Sequence, residues 1–307
     1  MKVLLTGAAG QLGQALIASK PVGIDLIACS RAELDLTNHA ACQAAVHAHQ
    51  PEWVLNAGAY TAVDQAESEP ELAQAVNAGA PAALAQALER TGGRLLQVST
   101  DFVFNGRQGS PYRPDQSLDP IGVYGATKAA GEAAALQLAG ARVLRTSWVY
   151  GPLGQNFCRT MLRLHREREQ MGVVADQVGC PTSTATLAEA CWRAIGVSQE
   201  PATEAALPRI LHWSDAGAAS WYDFAMAIGE LGVQVGLLAR AATLNPITTM
   251  EYPTPANRPA YSLLDCSKTR EVLGLEPLHW REALQRVLCS MGASQAASSL
   301  QSSVLLP

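Results

Sequence analysis

Five short apolar segments in the first 150 residues alternate with segments of helical periodicity. The apolar segments are KVLLTG (2–7), IDLIACS (24–30), WVLNAGA (53–59), RLLQVST (94–100) and ARVLRTSWVYG (141–151). Helical patterns occupy 11–19, 37–48, 70–90 and 124–139. Apolar strands that are each followed by a helix are typical of a parallel sheet covered on both faces. The predicted fold class is therefore α/β, with a doubly wound parallel sheet of the Rossmann type.

The regular alternation stops after Gly151. The later segments contain helical patterns at 155–168, 185–195, 220–232 and 281–291, one strand at 209–214 and a Pro-rich extended stretch at 246–262. We predict a dinucleotide-binding domain over 1–150, to which segments near 182–214 return. A second, smaller α/β lobe over 151–292 is predicted to bind the substrate. The low-complexity residues 293–307 are predicted to form a flexible tail.

Charge and hydropathy exclude several classes of function. The net charge is −5, and no Lys/Arg cluster has the density of a nucleic-acid-binding face. An anionic ligand would therefore need a local site. No stretch approaches the ~18 apolar residues of a membrane span, and the N-terminal apolar run is too short for a signal peptide. We expect a cytoplasmic protein with no membrane and no nucleic-acid partner.

The seven cysteines are scattered and never spaced as CxxC. This distribution favours reduced core thiols over disulfides or a zinc site. His47 and His49 are two residues apart, and in a helix such residues do not share a face. We therefore predict no metal site from these residues.

The segment TGAAGQLG places Gly7, Gly10 and Gly13 directly after the first predicted strand and at the start of the first helix. In this context the first glycine permits a tight turn and the second lets backbone N–H groups approach a pyrophosphate. The third allows the helix to pack closely on the strand. The alternative is a purely structural turn. The context favours dinucleotide binding.

The end of the second strand indicates which dinucleotide binds. An NAD site usually has an acid about 20 residues past the glycine loop, whereas this chain has Ser30 and Arg31. A hydroxyl and a guanidinium suit a 2′-phosphate, so NADPH is favoured and NADH stays open. Arg31 could also be only a solvated surface charge. Asp35 and Leu36 follow; they could border the adenine, or Asp35 could cap the helix that begins near Thr37.

Tyr124 and Lys128 are four residues apart in VYGATK and so lie on one helical face. A nearby ammonium is expected to lower the pKa of the phenol, which could then exchange a proton with an oxygen at a carbonyl carbon. The strand RLLQVST ends in Ser99 and Thr100, at the sheet edge where ligands of such folds bind. An ordinary Tyr–Lys pair is the alternative, but the glycine loop and Thr100 favour a catalytic role.

The motifs TGAAGQLG, NAGAYT, STDFVFNG, YGATK and RTSWVYG together resemble the extended short-chain dehydrogenase/reductase superfamily. Within it, the chain is similar to the dTDP-4-dehydrorhamnose reductase family through AYTAVDQAESEPELAQAVNAGAPAALA (59–85), VYGATKAAGE (123–132) and RPAYSLLD (258–265). The likeness runs from residue 1 to about residue 290. It implies an NADPH-dependent reduction of a nucleotide-sugar ketone that completes dTDP-L-rhamnose synthesis for cell-surface polysaccharides.

The resemblance also implies roles for individual residues. Tyr124 is the expected proton donor, Lys128 its partner, and Thr100 the residue that hydrogen-bonds the substrate 4-keto oxygen. The expected substrate contacts are Thr100, Asp101, Phe102, Trp148 and Arg258. The expected cofactor contacts, with Tyr124 and Lys128, are Gly7, Gly10, Gln11, Leu12, Gly13, Ser30, Arg31, Asp35, Leu36, Ala57, Gly58, Ala59, Tyr60 and Thr61.

Two departures from the family pattern affect these expectations. Phe102 stands where the family often has a tyrosine, which puts one substrate hydroxyl contact in question. Some members dimerise through a magnesium ion held by paired glutamates, but Cys289 and Ser290 stand where one acid is expected. Magnesium and that mode of dimerisation are therefore doubtful, and monomer and homodimer both stay open.

Several residues carry alternative interpretations. Arg258 and Lys268 could bind the pyrophosphate of a nucleotide sugar, or be surface charges. Trp148 could be a core residue. The acids Asp64, Glu67 and Glu69 are expected to form a capped, solvated helix start.

Three functions compete. The first is reduction of dTDP-4-dehydro-L-rhamnose. The second is another nucleotide-sugar 4-ketoreductase or an epimerase; a 4,6-dehydratase would need a second acid, and here Phe102 follows Asp101. The third is a non-catalytic, NADP-binding subunit like the regulatory subunit of methionine adenosyltransferase. The presence of Thr100, Tyr124 and Lys128 argues against that third function.

Overall fold

The computed structural model of the protein describes residues 1–196 and 207–304, with side chains described as far as residue 293. Its centre is a sheet of six parallel strands: β1 (Lys2–Thr6), β2 (Asp25–Cys29), β3 (Trp53–Asn56), β4 (Arg94–Thr100), β5 (Ala141–Thr146) and β10 (Ile210–His212). Their order across the sheet is β2-β1-β3-β4-β5-β10. The predicted parallel sheet is confirmed.

Among the described residues, seven helices pack on this sheet or extend from its edges: α1 (Gln11–Ala18), α2 (His39–His49), α3 (Val63–Ala66), α4 (Pro70–Gln74), α5 (Ala80–Thr91), α6 (Val123–Ala135) and α8 (Thr184–Gly196). Side chains of β1 alternate between two hydrophobic clusters. Val3 and Leu5 pack with residues of α1 and α8, whereas Leu4 packs with residues of α2 and α5. The sheet therefore has a buried core on each face, as the doubly wound prediction requires.

The chain reverses direction across the sheet between β1 and β3. It runs from β1 outward to β2 and then returns to β3 on the other side of β1. In open α/β sheets, such a topological switch point opens a crevice at the carboxyl ends of the strands. The TGAAGQLG loop begins at the end of β1, and therefore beside this crevice.

The helix predicted over 70–90 contains one π-helical turn, Ala75–Gly79, between α4 and α5. Pro81 has no N–H to give to the carbonyl oxygen of Asn77, and its ring would collide with that oxygen in a regular α-helix. A wider turn relieves the collision. The predicted helix over 70–90 is confirmed, with a π-helical turn over these five residues.

The second, smaller lobe is built from the later part of the chain. Three two-stranded sheets pair β6 (Val149–Tyr150) with β9 (Thr182–Ser183), β7 (Gln170–Val174) with β12 (Thr243–Ile247), and β8 (Val178–Gly179) with β11 (Ala219–Ser220). Its helices are α7 (Phe157–Glu167), α9 (Trp221–Gln234), α10 (Ser267–Leu273) and α11 (Trp280–Val304). Residues of α7, α9 and α11 form a separate hydrophobic cluster. The predicted α/β class thus holds for both parts, while the predicted domain boundaries stay predictions.

Three further element predictions differ from the structure. The strand predicted over 141–151 is broken at Ser147 and Trp148 into β5 and β6. Strand β7 and helix α10 have no counterpart among the predicted elements. Helix α11 runs to Val304 instead of ending at residue 291, because the Ala-, Ser- and Gln-rich segment contains no proline to stop it. The backbone is helical as far as Val304, and the flexibility predicted from residue 293 stays a prediction.

All seven cysteines are free thiols, and five of them are buried. Over the described ranges, 1–196 and 207–304, there is no helix both long and apolar enough to cross a membrane.

Candidate active site

A cavity of about 580 Å³ opens at the switch point of the sheet. Its walls come from the ends of β1, β3, β4 and β5, from the start of α6, and from residues of the second lobe. The lobe contributes Trp148, Gln155, Asn156, Phe157 and Trp221. The cavity thus lies between the two hydrophobic cores, at the edge where the sequence predicted ligands to bind.

The glycine loop has no space for side chains. Gly7 has a φ of +69°, and a Cβ atom there would lie 2.6 Å from the Cα atom of Gly58. A Cβ atom on Gly13 would lie 2.2 Å from the carbonyl oxygen of Gly7. The ends of β1 and β3 and the start of α1 therefore touch through backbone alone. This arrangement fits a loop whose N–H groups approach a pyrophosphate.

Most of the predicted cofactor residues lie together. A second cavity of about 150 Å³ adjoins the first and shares Gly7, Arg31, Gly58 and Ala59 with it. The predicted residues that line one or both cavities are Gly7, Gly10, Gln11, Leu12, Arg31, Asp35, Leu36, Ala57, Gly58, Ala59, Tyr60, Thr61, Tyr124 and Lys128. Gly13 and Ser30 line neither cavity; Gly13 packs under the loop, and the backbone N–H of Ser30 donates to Glu33 at 2.7 Å.

Arg31 and Asp35 face each other at the smaller cavity. The Nε atom of Arg31 lies 3.9 Å from a carboxylate oxygen of Asp35, and the guanidinium is 80% exposed. Asp35 accepts a hydrogen bond from the N–H of Thr37 at 3.0 Å. Helix α2 is capped by Asn38, whose side chain accepts from the N–H of Ala41. The alternative interpretation of Asp35 as the helix cap is therefore wrong, and Arg31 is free to reach a ligand.

Thr100, Tyr124 and Lys128 meet at the floor of the large cavity. Thr100 is the last residue of β4; its hydroxyl donates to Asp101 at 3.0 Å and accepts the N–H of Phe102. Tyr124 is the second residue of α6, and its ring packs edge-on against Phe102 with 5.5 Å between centroids. The three side chains predicted to be catalytic thus share one surface.

The protonation equilibria differ from the expectation. Burial, reinforced by the charge of Asp101 and opposed by the neighbouring Thr100 hydroxyl, raises the pKa of Tyr124 to about 12. The Nζ atom of Lys128 donates to the carbonyl oxygen of Val98 at 2.7 Å, and burial lowers its pKa to about 8. The prediction that the pKa of Tyr124 is lowered is wrong for this structure, because burial is the largest influence on the phenol and raises its pKa.

Three buried oxygens around the floor have no hydrogen-bond partner in the described part of the chain: Ser99 Oγ, Asp101 Oδ2 and Thr146 Oγ1. Buried polar atoms are normally paired, so unpaired ones beside a cavity indicate ligand groups. All three residues line the cavity. Together with the glycine loop, they fit a dinucleotide and a polyhydroxylated substrate.

The side of the cavity formed by the second lobe is aromatic. Trp148 stacks on Trp221, with ring centroids 3.6 Å apart and planes 5° apart, and Phe157 packs against Trp221. Trp148 has a φ of 46°, a conformation that costs energy in a bulky residue. Gly179 lies beneath its ring, where a Cβ atom would collide. Trp148 therefore lines the cavity and is not a simple core residue.

Arg258 lines the cavity but is already paired. Its Nη1 and Nη2 atoms donate to the two carboxylate oxygens of Asp64 at 3.0 and 2.8 Å, and Nη1 also donates to Thr254. Lys268 lies elsewhere, on α10, where it pairs with Glu271 on the surface. Of the two interpretations of Lys268, the structure agrees with a surface charge.

Asn77 is a site residue that the sequence analysis did not single out. It lies in the π-helical turn, 2% exposed, and its amide pairs with both backbone groups of Tyr60. Its Nδ2 atom also donates to Thr127, whose hydroxyl donates to the carbonyl oxygen of Tyr124. Asn77 therefore joins the predicted cofactor loop to the helix that carries Tyr124 and Lys128. The only signal in the sequence is a lone polar residue in an alanine-rich helix.

Within the described residues, no group of three or more His, Cys, Asp or Glu side chains lies close enough to hold a metal ion. The doubt about magnesium stays a prediction.

The chain is similar to proteins of one family along almost its whole length. The sequence profile of the RmlD substrate binding domain matches residues 1–292. A dTDP-4-dehydrorhamnose reductase of Aggregatibacter actinomycetemcomitans is 39% identical over 290 residues, which cover 93% of this chain and 98% of the relative.

Solved structures agree with these sequence matches. The crystal structure of a dTDP-4-dehydrorhamnose reductase from Clostridium acetobutylicum has a TM-score of 0.86 and 35% identity, over 94% of this chain and 98% of that one. A Bacillus anthracis dTDP-4-dehydrorhamnose reductase in complex with NADP has a TM-score of 0.84 and 34% identity, over 94% and 99% of the two chains.

Proposed function

Because the chain belongs to the family of the RmlD substrate binding domain, we propose that it reduces the 4-keto group of dTDP-4-dehydro-β-L-rhamnose with NADPH. The product is dTDP-L-rhamnose, and the reaction is the last step of its synthesis. The observation that carries the proposal is the meeting of Thr100, Tyr124 and Lys128 beside a glycine loop at the switch point of the sheet.

The cofactor site would use backbone at one end and side chains at the other. The loop from Gly7 to Leu12 would hold the pyrophosphate, and Arg31 at the smaller cavity would receive the 2′-phosphate. When bound, the reduced nicotinamide supplies the hydride. A relative of 34% identity is solved with NADP, which supports this choice of cofactor.

Tyr124 acts as the proton donor. With a pKa raised to about 12, the phenol stays protonated at neutral pH, as a donor must be. It can transfer its proton to an alkoxide oxygen, which is more basic still. The hydroxyl of Thr100 donates to Asp101 in this structure and lines the same cavity as Tyr124, where it could turn its proton to the same oxygen.

Lys128 stabilises the phenolate that remains on Tyr124. Its ammonium is held in place by the carbonyl oxygen of Val98, and its side chain is only 4% exposed. A buried positive charge acts more strongly on a neighbouring anion than it would in water. This charge can offset part of the cost that burial imposes on the deprotonated state of Tyr124.

The substrate would lie between the floor and the aromatic wall. The unpaired Oδ2 atom of Asp101 can accept a sugar hydroxyl, and the Trp148 ring offers an apolar face. Phe102 has no hydroxyl, so it contributes packing alone. The guanidinium of Arg258, which lines the same cavity, would contact the pyrophosphate of the sugar nucleotide.

The test is direct turnover. The protein is incubated with NADPH and dTDP-4-dehydro-L-rhamnose, and the absorbance of the reduced nicotinamide is followed. We expect consumption of NADPH and formation of dTDP-L-rhamnose. Consumption with a different nucleotide sugar only would identify another 4-ketoreductase. Absence of turnover, with NADPH still bound, would instead support a non-catalytic binding subunit.

Tyr124→Phe tests the role of the phenol in the same assay. We expect kcat to fall by about 10² to 10⁴, the usual range for a general acid, and the Kd for NADPH to stay close to the parent value. Trp213→Phe is a control aromatic substitution in a buried position outside the cavity. Parental turnover by the Tyr124 variant would show that another group delivers the proton.

A further inference from the structure

Two acids near the mouth of the cavity contact separate parts of the active site. Asp64 belongs to the one-turn helix α3, and Glu67 follows directly after it. The sequence predicts that both are solvated residues at a capped helix start. Both acids do lie at this short helix and are exposed or half-exposed, but each carboxylate also bonds to a segment far away in the chain.

Asp64 holds the segment that carries Arg258. It accepts both terminal nitrogens of the guanidinium, across 194 positions of the sequence, and it also accepts the N–H of Ala256 at 3.2 Å. A bidentate pair of this kind fixes the plane of the guanidinium as well as its position. Asp64 is 42% exposed and Arg258 is 22% exposed, so the pair lies at the rim of the cavity.

Glu67 holds the first turn of α6. Its Oε1 atom accepts the N–H of Val123 at 2.9 Å, and Val123 is the residue before Tyr124. Gly122, the residue at the N-cap position, has no side chain to satisfy that N–H. Glu67 therefore performs, from 56 positions away, the capping that a helix usually receives from its own sequence.

The two contacts converge at Gly122. A Cβ atom on Gly122 would lie 2.9 Å from the Oε1 atom of Glu67 and 3.7 Å from the carbonyl oxygen of Asn257. The start of the Tyr124 helix, the acid segment and the Arg258 segment thus touch at one point.

From this convergence we propose that Asp64 and Glu67 are positioning residues that couple the Arg258 segment to Tyr124. The inference rests on the proposed function, since it assigns the two ends of the coupling to substrate binding and to proton transfer. Asp64 sets the orientation in which Arg258 meets an anionic nucleotide. Glu67 sets the position of the first turn of α6, and through it the position of Tyr124.

The two acids have different kinetic signatures. Glu67→Ala lowers kcat roughly fivefold to tenfold, the effect of one lost capping bond expressed on the rate, and leaves the Kd for NADPH unchanged. Glu67→Gln restores most of kcat because its amide oxygen can accept the same bond. Asp64→Ala raises the KM for the nucleotide sugar about tenfold, because an unheld Arg258 must be ordered during binding. Glu71→Ala, which removes an exposed acid one turn further on, leaves both constants at the parent values.

Coupling is measured by the double variant Asp64→Ala/Glu67→Ala. If the two acids act as one unit, its loss in kcat/KM is smaller than the product of the single losses. Single losses that multiply in the double variant overturn the coupling. An unchanged kcat in Glu67→Ala overturns the positioning role of Glu67.

A second readout does not depend on turnover. Hydrogen exchange at the amide of Val123 is faster in Glu67→Ala than in the parent and in Glu71→Ala. Unchanged exchange overturns the assignment of Glu67, whatever the enzyme does. A parent protein that consumes no NADPH with the keto-sugar would instead reject the proposed function, while the exchange data and the affinity of Asp64→Ala for dTDP would still decide the positioning roles.

Discussion

Asp101 is a site residue whose burial lowers the stability of the folded protein at neutral pH. It is 1% exposed, and burial raises its pKa to about 6, against an unfolded value of 3.8. A folded-state pKa above the unfolded value means that ionisation is harder in the folded protein. The parent therefore loses stability as the pH rises from about 4 through about 6, and the whole loss is present at neutral pH.

We expect Asp101→Asn to be more stable than the parent at pH 8, by on the order of 1–3 kcal/mol, and to be less active. Near pH 4 most of the difference should disappear, because Asp101 in the folded protein is then neutral like asparagine. Urea denaturation at the two pH values measures this. Asp115→Asn, on an exposed and surface-paired acid, is the control. Equal stability of parent and variant at pH 8 would contradict a strained Asp101 carboxylate.

Arg31 is the residue that should discriminate between the two nicotinamide cofactors. Its guanidinium is exposed and lies at the join of the two cavities, with only a loose 3.9 Å approach to Asp35. Arg31→Ala should raise the KM for NADPH about tenfold or more, the value of a charge-assisted phosphate contact, and leave that for NADH almost unchanged. Steady-state kinetics with both cofactors test this, with Arg107→Ala as an exposed control. Equal changes would mean that Arg31 does not read the 2′-phosphate.

Helix α6 is an element that joins catalysis to the core. Tyr124, Lys128 and Glu132 follow one another at intervals of four along it. Glu132 forms a buried pair with Arg145, whose guanidinium donates to both carboxylate oxygens. Arg145 also donates to His212, whose other ring nitrogen donates to the carbonyl oxygen of Tyr112. Burial and the adjacent Arg145 lower the pKa of His212 to about 3, so its ring is neutral and acts as an acceptor for Arg145.

We expect Glu132→Gln to lose about 3–5 kcal/mol of stability, because it leaves the buried guanidinium of Arg145 without its anion. The double variant Glu132→Leu/Arg145→Met should be more stable than the single variant, since it removes both buried charges. Denaturant titration gives both values. A cost below about 1 kcal/mol for the single variant would show that the pair contributes little.

The elements that the sequence predicts well are those whose pattern has one physical solution. The apolar runs between helices could only be buried parallel strands, and the Tyr–Lys spacing could only lie on one face of a helix. The breaks are harder to predict. The π-helical turn depends on Pro81 within a tertiary setting, and the interruption at Trp148 depends on Gly179, 31 positions later. The pKa of Tyr124 depends on its burial, which no spacing reveals.

The same reasoning applies to the site. Gly7, Thr100, Tyr124 and Lys128 belong to short local patterns that have a chemical meaning, and the structure brings them to one cavity. Asn77 and Trp221 are isolated in the sequence and acquire their positions only from the fold.

The two cores of the molecule are connected around the cavity by polar side chains. On one side, Gln11 of the glycine loop donates to the carbonyl oxygen of Gln155 and accepts from Asn156, the N-cap residue of α7. On the other side lies the Asp64–Arg258 pair. Ligand binding at the sheet edge can therefore be transmitted to the smaller lobe through Gln11.

We expect NADPH to slow hydrogen exchange in α7 of the parent, and Gln11→Ala to reduce this protection while protection of the glycine loop itself is retained. The reason is that Gln11 is the side chain joining the two segments. Exchange measured with and without NADPH tests this, and Gln14→Ala, whose side chain bonds only within the loop region at Ala9, is the matched control. Equal protection of α7 in both variants would show that the lobes communicate by another route.

The wide turn at Ala75–Gly79 has a consequence for how this chain can change in length. A π-turn contains one residue more than an α-turn. Deleting a residue there would rotate Pro70–Gln74 by about 100° relative to α5 and would return Pro81 to the collision that the wider turn relieves. Asn77 would leave Tyr60 and Thr127, and no single substitution elsewhere could return it. A point substitution at this helix therefore changes one side chain at a time, whereas a one-residue deletion should remove all the contacts of Asn77 at once.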